Sequence, residues 1–362
     1  MRGLLESLGL TTATESWISF PGLGIKEPFL IDGVAFVMPV IDKEIRWYAL
    51  LITLGIICCL TYIVVQSRKI GVTMDDILDG ALFVIPIGIL GARLYYVIFD
   101  TNHTYTSLRE VLDMTQGGLA IYGGIIAGAL TVIGYAIYKR INFFSLGDAV
   151  APAVLMAQGI GRWGNFMNGE AFGGETDFFL KMGICNVNTS YTFGTTEMVF
   201  VHPTFLYESL WNLLGVLLIY LFMKFIHKKY DGQLILLTFG WYGLGRMFIE
   251  GLRTDSLMIG DTGIRVSQLL AGILFGVCLV LLIVLAIRKP KTGFYFKYPL
   301  PEGVKGPKFN FKENLKAAFY TERTAENEKP IDYKPILEQA KLAKEEAAKA
   351  KKEAKKQKEN KE

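Results

Sequence analysis

Long apolar runs separated by short polar clusters dominate the first 290 or so residues. A helix that crosses the hydrocarbon core needs about 20 mostly apolar residues. Six stretches meet that need, roughly 47–65, 79–99, 118–138, 203–226, 233–250 and 267–287. A seventh, about 147–163 ("GDAVAPAVLMAQGIGRW"), is shorter and marked by Gly and Pro, and reads as a buried or tilted span. The pattern predicts an all-α polytopic membrane protein with about seven transmembrane helices. It divides into an outer-surface N-terminal segment (1–46), a seven-helix transmembrane domain (47–287) and a cytoplasmic Lys/Glu/Ala-rich tail (288–362).

Loop charge gives the expected orientation. "QSRK", "YKR" and "KFIHKKY" follow the first, third and fifth spans, and the Lys-rich tail follows the last. All lie on one side if the short span crosses, and the positive-inside rule makes that side cytoplasmic. The N-terminus is then outside and the C-terminus inside. Residues 1–46 carry Gly- and Pro-broken apolar pieces such as "WISFPGLG" and "FVMPV", expected to lie on the outer surface. The tail, "EQAKLAKEEAAKAKKEAKKQKENKE", has helix propensity and Glu–Lys pairs at i,i+4 but almost no apolar face. It reads as a solvated, frayed helix or a disordered tail, with polybasic contact to anionic lipid as the sharper alternative.

Composition agrees with a membrane chain. Hydrophobic residues make up 51% and charged residues 20% of the 362, too apolar for an ordinary soluble domain. The net charge of +4 comes from inner loops and the tail, so it does not point to nucleic acid. Of four cysteines, Cys58, Cys59 and Cys278 fall in apolar runs and Cys185 in a polar loop, with no disulfide framework or metal spacing. The first 20 residues lack the features of a signal peptide. No internal repeat is evident, which weighs against many secondary transporters.

Orientation gives each intramembrane polar residue a depth. Tyr48, Arg93, Tyr122, Arg162, Asn165, Asn168, Glu170, Glu208 and the end of the sixth span all fall toward the outer side. On that last helix Tyr242, Arg246, Glu250 and Arg253 step by 4, 4 and 3 and form one stripe at about 100° per residue. Charges facing lipid cost roughly 2.5–3.5 kcal/mol or more, so the stripe is expected to face the bundle interior. Asp148 and Asp231 look like boundary residues at inner span ends. Arginines at one depth with Glu170, Glu208 and Glu250 suggest a shared cavity for an anionic phospholipid headgroup, since Arg suits bidentate phosphate recognition. The residues alone do not reveal the reaction.

"GRWGNFMNGE" (161–170) resembles the signature of the prolipoprotein diacylglyceryl transferases. "RWYAL" (46–50), "GARLYYVIF" (91–99), "GGLAIYGG" (117–124), "HPTFLYE" (202–208) and "YGLGRMFIEGLR" (242–253) resemble the same family, over roughly 46–287. The resemblance implies transfer of sn-1,2-diacylglyceryl from phosphatidylglycerol to the lipobox cysteine of a preprolipoprotein signal peptide, releasing glycerol 1-phosphate. It implies an enzyme of the bacterial plasma membrane that needs no metal or soluble cofactor. Arg162 and Arg246 then match the essential phosphatidylglycerol-binding and catalytic arginines, and Tyr48, Asn165, Glu170, Gly173, Tyr242 and Glu250 match other functional positions.

One position departs. The family pattern reads "HGG" where this chain has Tyr122 in "AIYGGI". A neutral Tyr, with an ordinary pKa of about 10, is a poor base near neutral pH. Tyr122 is then a base activated by nearby arginine, a group that only orients lipid or thiol, or the mark of an impaired paralogue. His103 reads as a solvated loop residue, His202 as an anchor of the fifth span, and His227 as cytoplasmic. "N-x-S/T" triplets at Asn102 and Asn188 read as chance matches. The rivals to a transferase are a transporter or flippase with an outer-facing anion site and a catalytically impaired lipid-binding protein.

Overall fold

The computed structural model describes residues 14–39, 42–67, 72–100, 103, 105–114, 117–139, 141–195, 197–226, 228–254, 258, 263–288 and 311–319. Asn102, His227 and the Lys/Glu/Ala-rich end of the tail lie outside them. The described chain is mostly helical, and six helices are long and apolar enough to cross a membrane. It is an all-α polytopic membrane protein in its spanning part. It divides into two compact units, Met1–Ile63 with Gly147–Pro290, and Val64–Leu146 with Lys291–Glu362.

In the first unit the N-terminal segment is built from strands. β1 (Glu15–Phe20) and β2 (Ile25–Asp32) pair antiparallel, and β1 also pairs with β5 (Met182–Cys185), which pairs with β6 (Val199–Val201). The sheet order is β2-β1-β5-β6. Ile18, Ile184 and Val201 are its fully buried centre, packed with Phe172 and Phe205. β3 (Val34–Met38) and β4 (Lys43–Arg46) form a separate hairpin. β4 runs straight into α1 (Trp47–Ser67), whose first amide, Trp47 N, donates to Gly33 O at 2.9 Å. Along α1 the hydroxyls of Thr53 and Thr61 donate to the carbonyls four residues back, at 2.8 and 2.7 Å. That keeps two polar side chains satisfied on a lipid-facing helix.

The rest of this unit is α5 (Phe143–Met167, from Gly147 on), α6 (Val187–Phe193), α7 (Thr204–Phe225), α8 (Gln233–Ile249) and α9 (Val266–Arg288). The expected short span at 147–163 is in fact part of a 25-residue helix. Among the seven spans expected from sequence the shortest helix is α8, of 17 residues, extended by a single 3₁₀ turn at Glu250–Leu252. Half of the most apolar window of α5 is buried, against 11% for α1, so α5 is an interior helix. Asp148 on α5 closes the start of α8: its carboxylate accepts from Gly232 N, Leu234 N and Ile235 N at 2.9, 2.9 and 3.1 Å and pairs with Lys228 at 2.9 Å. This residue, expected as a span-boundary group, thus satisfies amides that α8 leaves unpaired at its N-terminus.

α7 and α8 are clasped by two tryptophans. Trp211 Nε1 donates to Trp241 O at 2.9 Å, Trp241 Nε1 donates to Trp211 O at 2.8 Å, and the indoles stack 4.2 Å apart. Gly215 and Gly245 make room, since a Cβ at either would collide with the facing indole.

The second unit holds α2 (Met74–Phe99), α3 (Leu108–Leu112), α4 (Ile121–Lys139) and α10 (Phe311–Phe319). Thr73 caps α2 by accepting from Asp76 N at 3.1 Å, and Lys139 at the end of α4 bridges Asp76 and Asp79 at 3.0 and 3.2 Å. α2 and α4 meet through glycines: a Cβ on Gly91 would collide with Ala127, and one on Gly123 with the Gly91 carbonyl. Within the expected tail, Phe311–Phe319 is a helix whose Phe319 ring packs 5.6 and 6.2 Å from the rings of Phe143 and Phe144.

Candidate active site

α5 and α8 run one way and α7 the other, so residues near the end of the first two meet residues near the start of the third. Arg162 Nη2 lies 2.6 Å from Glu208 Oε2. Arg246 Nη1 lies 2.8 Å from Glu208 Oε1 and its Nη2 2.6 Å from Glu250 Oε2. Arg253 Nη1 reaches Glu208 Oε1 at 3.4 Å. Three guanidiniums therefore share one carboxylate, and both acids are buried, Glu208 at 4% and Glu250 at 2% exposure. Arg265, just before α9, donates from Nη1 to the Glu250 carbonyl.

The "GRWGNFMNGE" stretch forms the polar side of this cluster. Arg162 Nη1 donates to Asn165 Oδ1 at 3.3 Å, and Asn165 and Asn168 donate to Glu170 Oε1 at 3.0 and 3.2 Å. Tyr48 lies against Gly164, where a Cβ would come within 2.7 Å of the ring. Gly173 N donates to His202 O at 2.9 Å and Gly174 N to Leu252 O at 2.8 Å, so the 173–174 backbone ties the sheet side to the turn after Glu250. Tyr242 packs beside the Leu155, Ile219 and Leu234 cluster. Burial holds the His202 imidazole below its ordinary pKa, and its Nδ1 is 3.3 Å from Tyr207 Oη.

Among the described residues, four arginines stand against Glu208, Glu250 and Glu170, an excess of one positive charge in this cluster. An excess of that sign in a partly buried cluster suits a singly charged phosphodiester. Arg93 and Tyr122 belong to the second unit. Tyr122 is the second residue of α4 and is 42% exposed, while Arg93 is buried and directed at backbone carbonyls.

A family model described as prolipoprotein diacylglyceryl transferase matches residues 35–284. The chain belongs to the prolipoprotein diacylglyceryl transferase family. It is 41% identical over 256 residues to phosphatidylglycerol–prolipoprotein diacylglyceryl transferase 1 of Clostridium perfringens (strain 13 / Type A), covering 70% of this chain and 95% of that protein. It is 41% identical over 249 residues to the phosphatidylglycerol–prolipoprotein diacylglyceryl transferase of Clostridioides difficile (strain 630), covering 68% and 93%. It is 43% identical over 251 residues to the protein of that name from Streptococcus pneumoniae (strain Hungary19A-6), covering 69% and 93%. All of the arginines and acids of the cluster fall inside the region that the family model matches.

Sequence reading of this transferase chain missed several supporting residues. Asn186 Nδ2 donates to Gly169 O at 2.7 Å and to Ser16 Oγ at 2.8 Å, and Asn188 Nδ2 donates to Gly169 O at 3.1 Å. Ala171 holds a left-handed φ of 56°, and Thr204 Oγ1 donates to its carbonyl. None of these carries a charge pattern that a reader of sequence would select. Asn188 had a signal, the "N-x-S/T" triplet, but it pointed to a different chemistry.

Proposed function

We propose that the chain transfers sn-1,2-diacylglyceryl from phosphatidylglycerol to the thiol of the lipobox cysteine in bacterial prolipoprotein signal peptides, the first step of lipoprotein maturation. The observation that carries this reading is the Arg162–Glu208–Arg246 cluster and its surplus positive charge, in a chain of this family. Arg162 and Arg246 bind the phosphodiester, and Glu208 keeps their guanidiniums apart and oriented toward it. Arg253 and Glu250 complete the charge pattern, Asn165 and Asn168 hold Glu170 in place for the glycerol headgroup, and Tyr48, Gly173 and Tyr242 shape the surroundings.

In the reaction the cysteine sulfur attacks the glycerol carbon that bears the phosphate ester. A C–S bond forms and that C–O bond breaks, leaving a thioether and glycerol 1-phosphate, while the thiol proton goes to a base, phosphate oxygen or water. Arginine donors aimed at the departing oxygen act where charge develops, and one such donor is worth about 10²–10³-fold in rate. A free thiol has a pKa of about 8.5, so a positive field that favours thiolate also speeds the step. Tyr122 enters through its motif, as a ring that orients lipid or thiol.

The protein sits in the bacterial plasma membrane with its N-terminus and active site toward the outer leaflet and its C-terminus in the cytoplasm. The basic loops after the first, third and fifth expected spans support that orientation. The organisation follows as an outer segment, 1–46, a catalytic membrane domain, 47–287, and a cytoplasmic tail.

The test uses purified protein, labelled phosphatidylglycerol and a lipobox peptide. Label should move to the peptide cysteine with the wild type and be lost with Arg162→Ala. Lipid binding without any transfer by the wild type rejects the transferase reading in favour of a transporter or a binding protein.

A further inference from the structure

Arg93 was grouped with the site arginines because it falls at the same expected depth. Its surroundings argue for different work. The side chain is only 6% exposed, and it spends four donor contacts on main-chain oxygens: Nε on Val111 O at 2.8 Å, Nη2 on Glu110 O at 3.0 Å, and Nη1 on Gly117 O and Gly118 O at 3.2 and 3.1 Å. The guanidinium carbon stands 5.7 Å from the ring centres of both Tyr96 and Tyr105. A planar fork with five N–H donors can gather several carbonyls at once, which an ammonium group cannot.

The carbonyls it gathers belong to a turn of special shape. Gly117 and Gly118 have φ of 89° and 72°, a region open to glycine and costly for most other residues. A Cβ on Gly118 would collide with Arg93 Nη1 and come within 2.8 Å of the Tyr96 ring. Two residues later Ala120 N donates to Ala92 O at 3.0 Å, beside Arg93 on α2, and α4 begins at Ile121 with Tyr122 next. The turn, the close approach and the helix start thus form one continuous path from Arg93 to Tyr122.

Charge points the same way. Arg93 shares a cavity of about 420 Å³ with Asp100, Glu110 and Asp113. Hydrogen bonds from the Thr106 amide and hydroxyl hold the Glu110 carboxyl below its ordinary pKa, so it stays ionised at neutral pH. Carboxylates there disfavour a second anion, so this arginine is poorly placed to take a phosphate.

We infer that Arg93 is a positioning residue of the transfer reaction: it clamps the Gly117–Gly118 turn and so sets where the first turn of α4, with the Tyr122 ring, is presented. This rests on the proposed transferase activity and on Tyr122 acting as an orienting ring within it.

The experiment pairs kinetics with amide hydrogen exchange on the full-length protein. Arg93→Lys should lower kcat about tenfold or more, leave KM for phosphatidylglycerol within about twofold, and speed exchange of amides 117–122 about tenfold. Gly118→Ala, which keeps the arginine charge but pushes the guanidinium away, should give the same signature. Tyr122→Ala should reproduce the loss of kcat without the faster exchange. A raised KM with unchanged kcat in Arg93→Lys would make Arg93 a lipid ligand and overturn the proposal. Unchanged exchange in both Arg93→Lys and Gly118→Ala, or full activity in Tyr122→Ala, overturns it equally. Absence of transfer by the wild type defeats the activity reading instead, and the exchange data still report on the clamp.

Discussion

Trp211 and Trp241 each donate an indole N–H to the other's backbone carbonyl, at 2.9 and 2.8 Å. The exchange locks α7 to α8 one turn from Glu208 and little more than one turn from Arg246. Trp211→Phe keeps most of the stacking surface but removes the indole N–H that the Trp241 carbonyl accepts beside its helical bond. One such hydrogen bond contributes about 0.5–1.5 kcal/mol, so a lower midpoint of thermal unfolding in detergent is expected. Activity should fall as well, because the Glu208–Arg246 pair loses its frame. An unchanged melting curve would show that the clasp does not hold the helices.

Glu208 is the shared partner of Arg162, Arg246 and Arg253. Glu208→Gln preserves shape and removes the charge. Breaking a buried pair from one side costs about 3–5 kcal/mol, and here three cations lose their common anion. Transfer is expected to drop about 100-fold or more, together with a loss of stability. Measurement of label transfer beside chemical unfolding separates the two effects. Near-normal transfer in this variant would mean that Glu208 does not organise the arginines.

Tyr122→Phe removes the phenol and keeps the ring. If the ring only orients substrate, transfer should stay within about threefold of wild type, with the same dependence on pH. A loss beyond about 100-fold would instead assign the phenol a proton-transfer role.

The pH dependence of stability has a clear sign at Lys228. Burial works against its charged form, but Asp148 and Asp231, at 2.9 and 2.8 Å, outweigh it and hold the ammonium above its ordinary pKa. A raised folded-state pKa contributes stability that is complete below the unfolded value of about 10.4 and is lost as pH climbs through the folded value. Wild-type stability from this group should therefore be flat through neutral pH and decline only in strong alkali. Lys228→Met should be less stable at neutral pH and show a shallower alkaline decline, as read by thermal melts from pH 7 to about 11.

Much of the charged cluster was legible because it is built from charged residues in apolar helices, which cannot be placed at random. Arg162, Glu170, Glu208, Arg246, Glu250 and Arg253 were all selected that way. Arg93 was selected by the same rule, and its backbone-carbonyl partners leave no mark in a sequence. The length of α5 was underestimated at both ends, because Asp148 and Asn165 interrupt the apolar run, whereas amides of α8 and Lys228 satisfy the Asp148 carboxylate and the Asn165 amide bonds Glu170. The sheet was missed for another reason. β1 buries Ser16, Ile18, Ser19 and Phe20 instead of alternating, and its partner β5 lies more than 160 residues away. The period of two was blurred by Ser19, and only the β1–β2 edge of this sheet is a local hairpin.

The junction of Arg46 and Trp47, a strand end followed at once by a helix start, leaves no slack between the hairpin and the first apolar helix. With Trp47 N also bonded to Gly33 O, Tyr48 is mounted on the hairpin as on a short rigid lever. Any molecule that grips that hairpin therefore applies its torque directly to a residue in contact with the helix that carries Arg162.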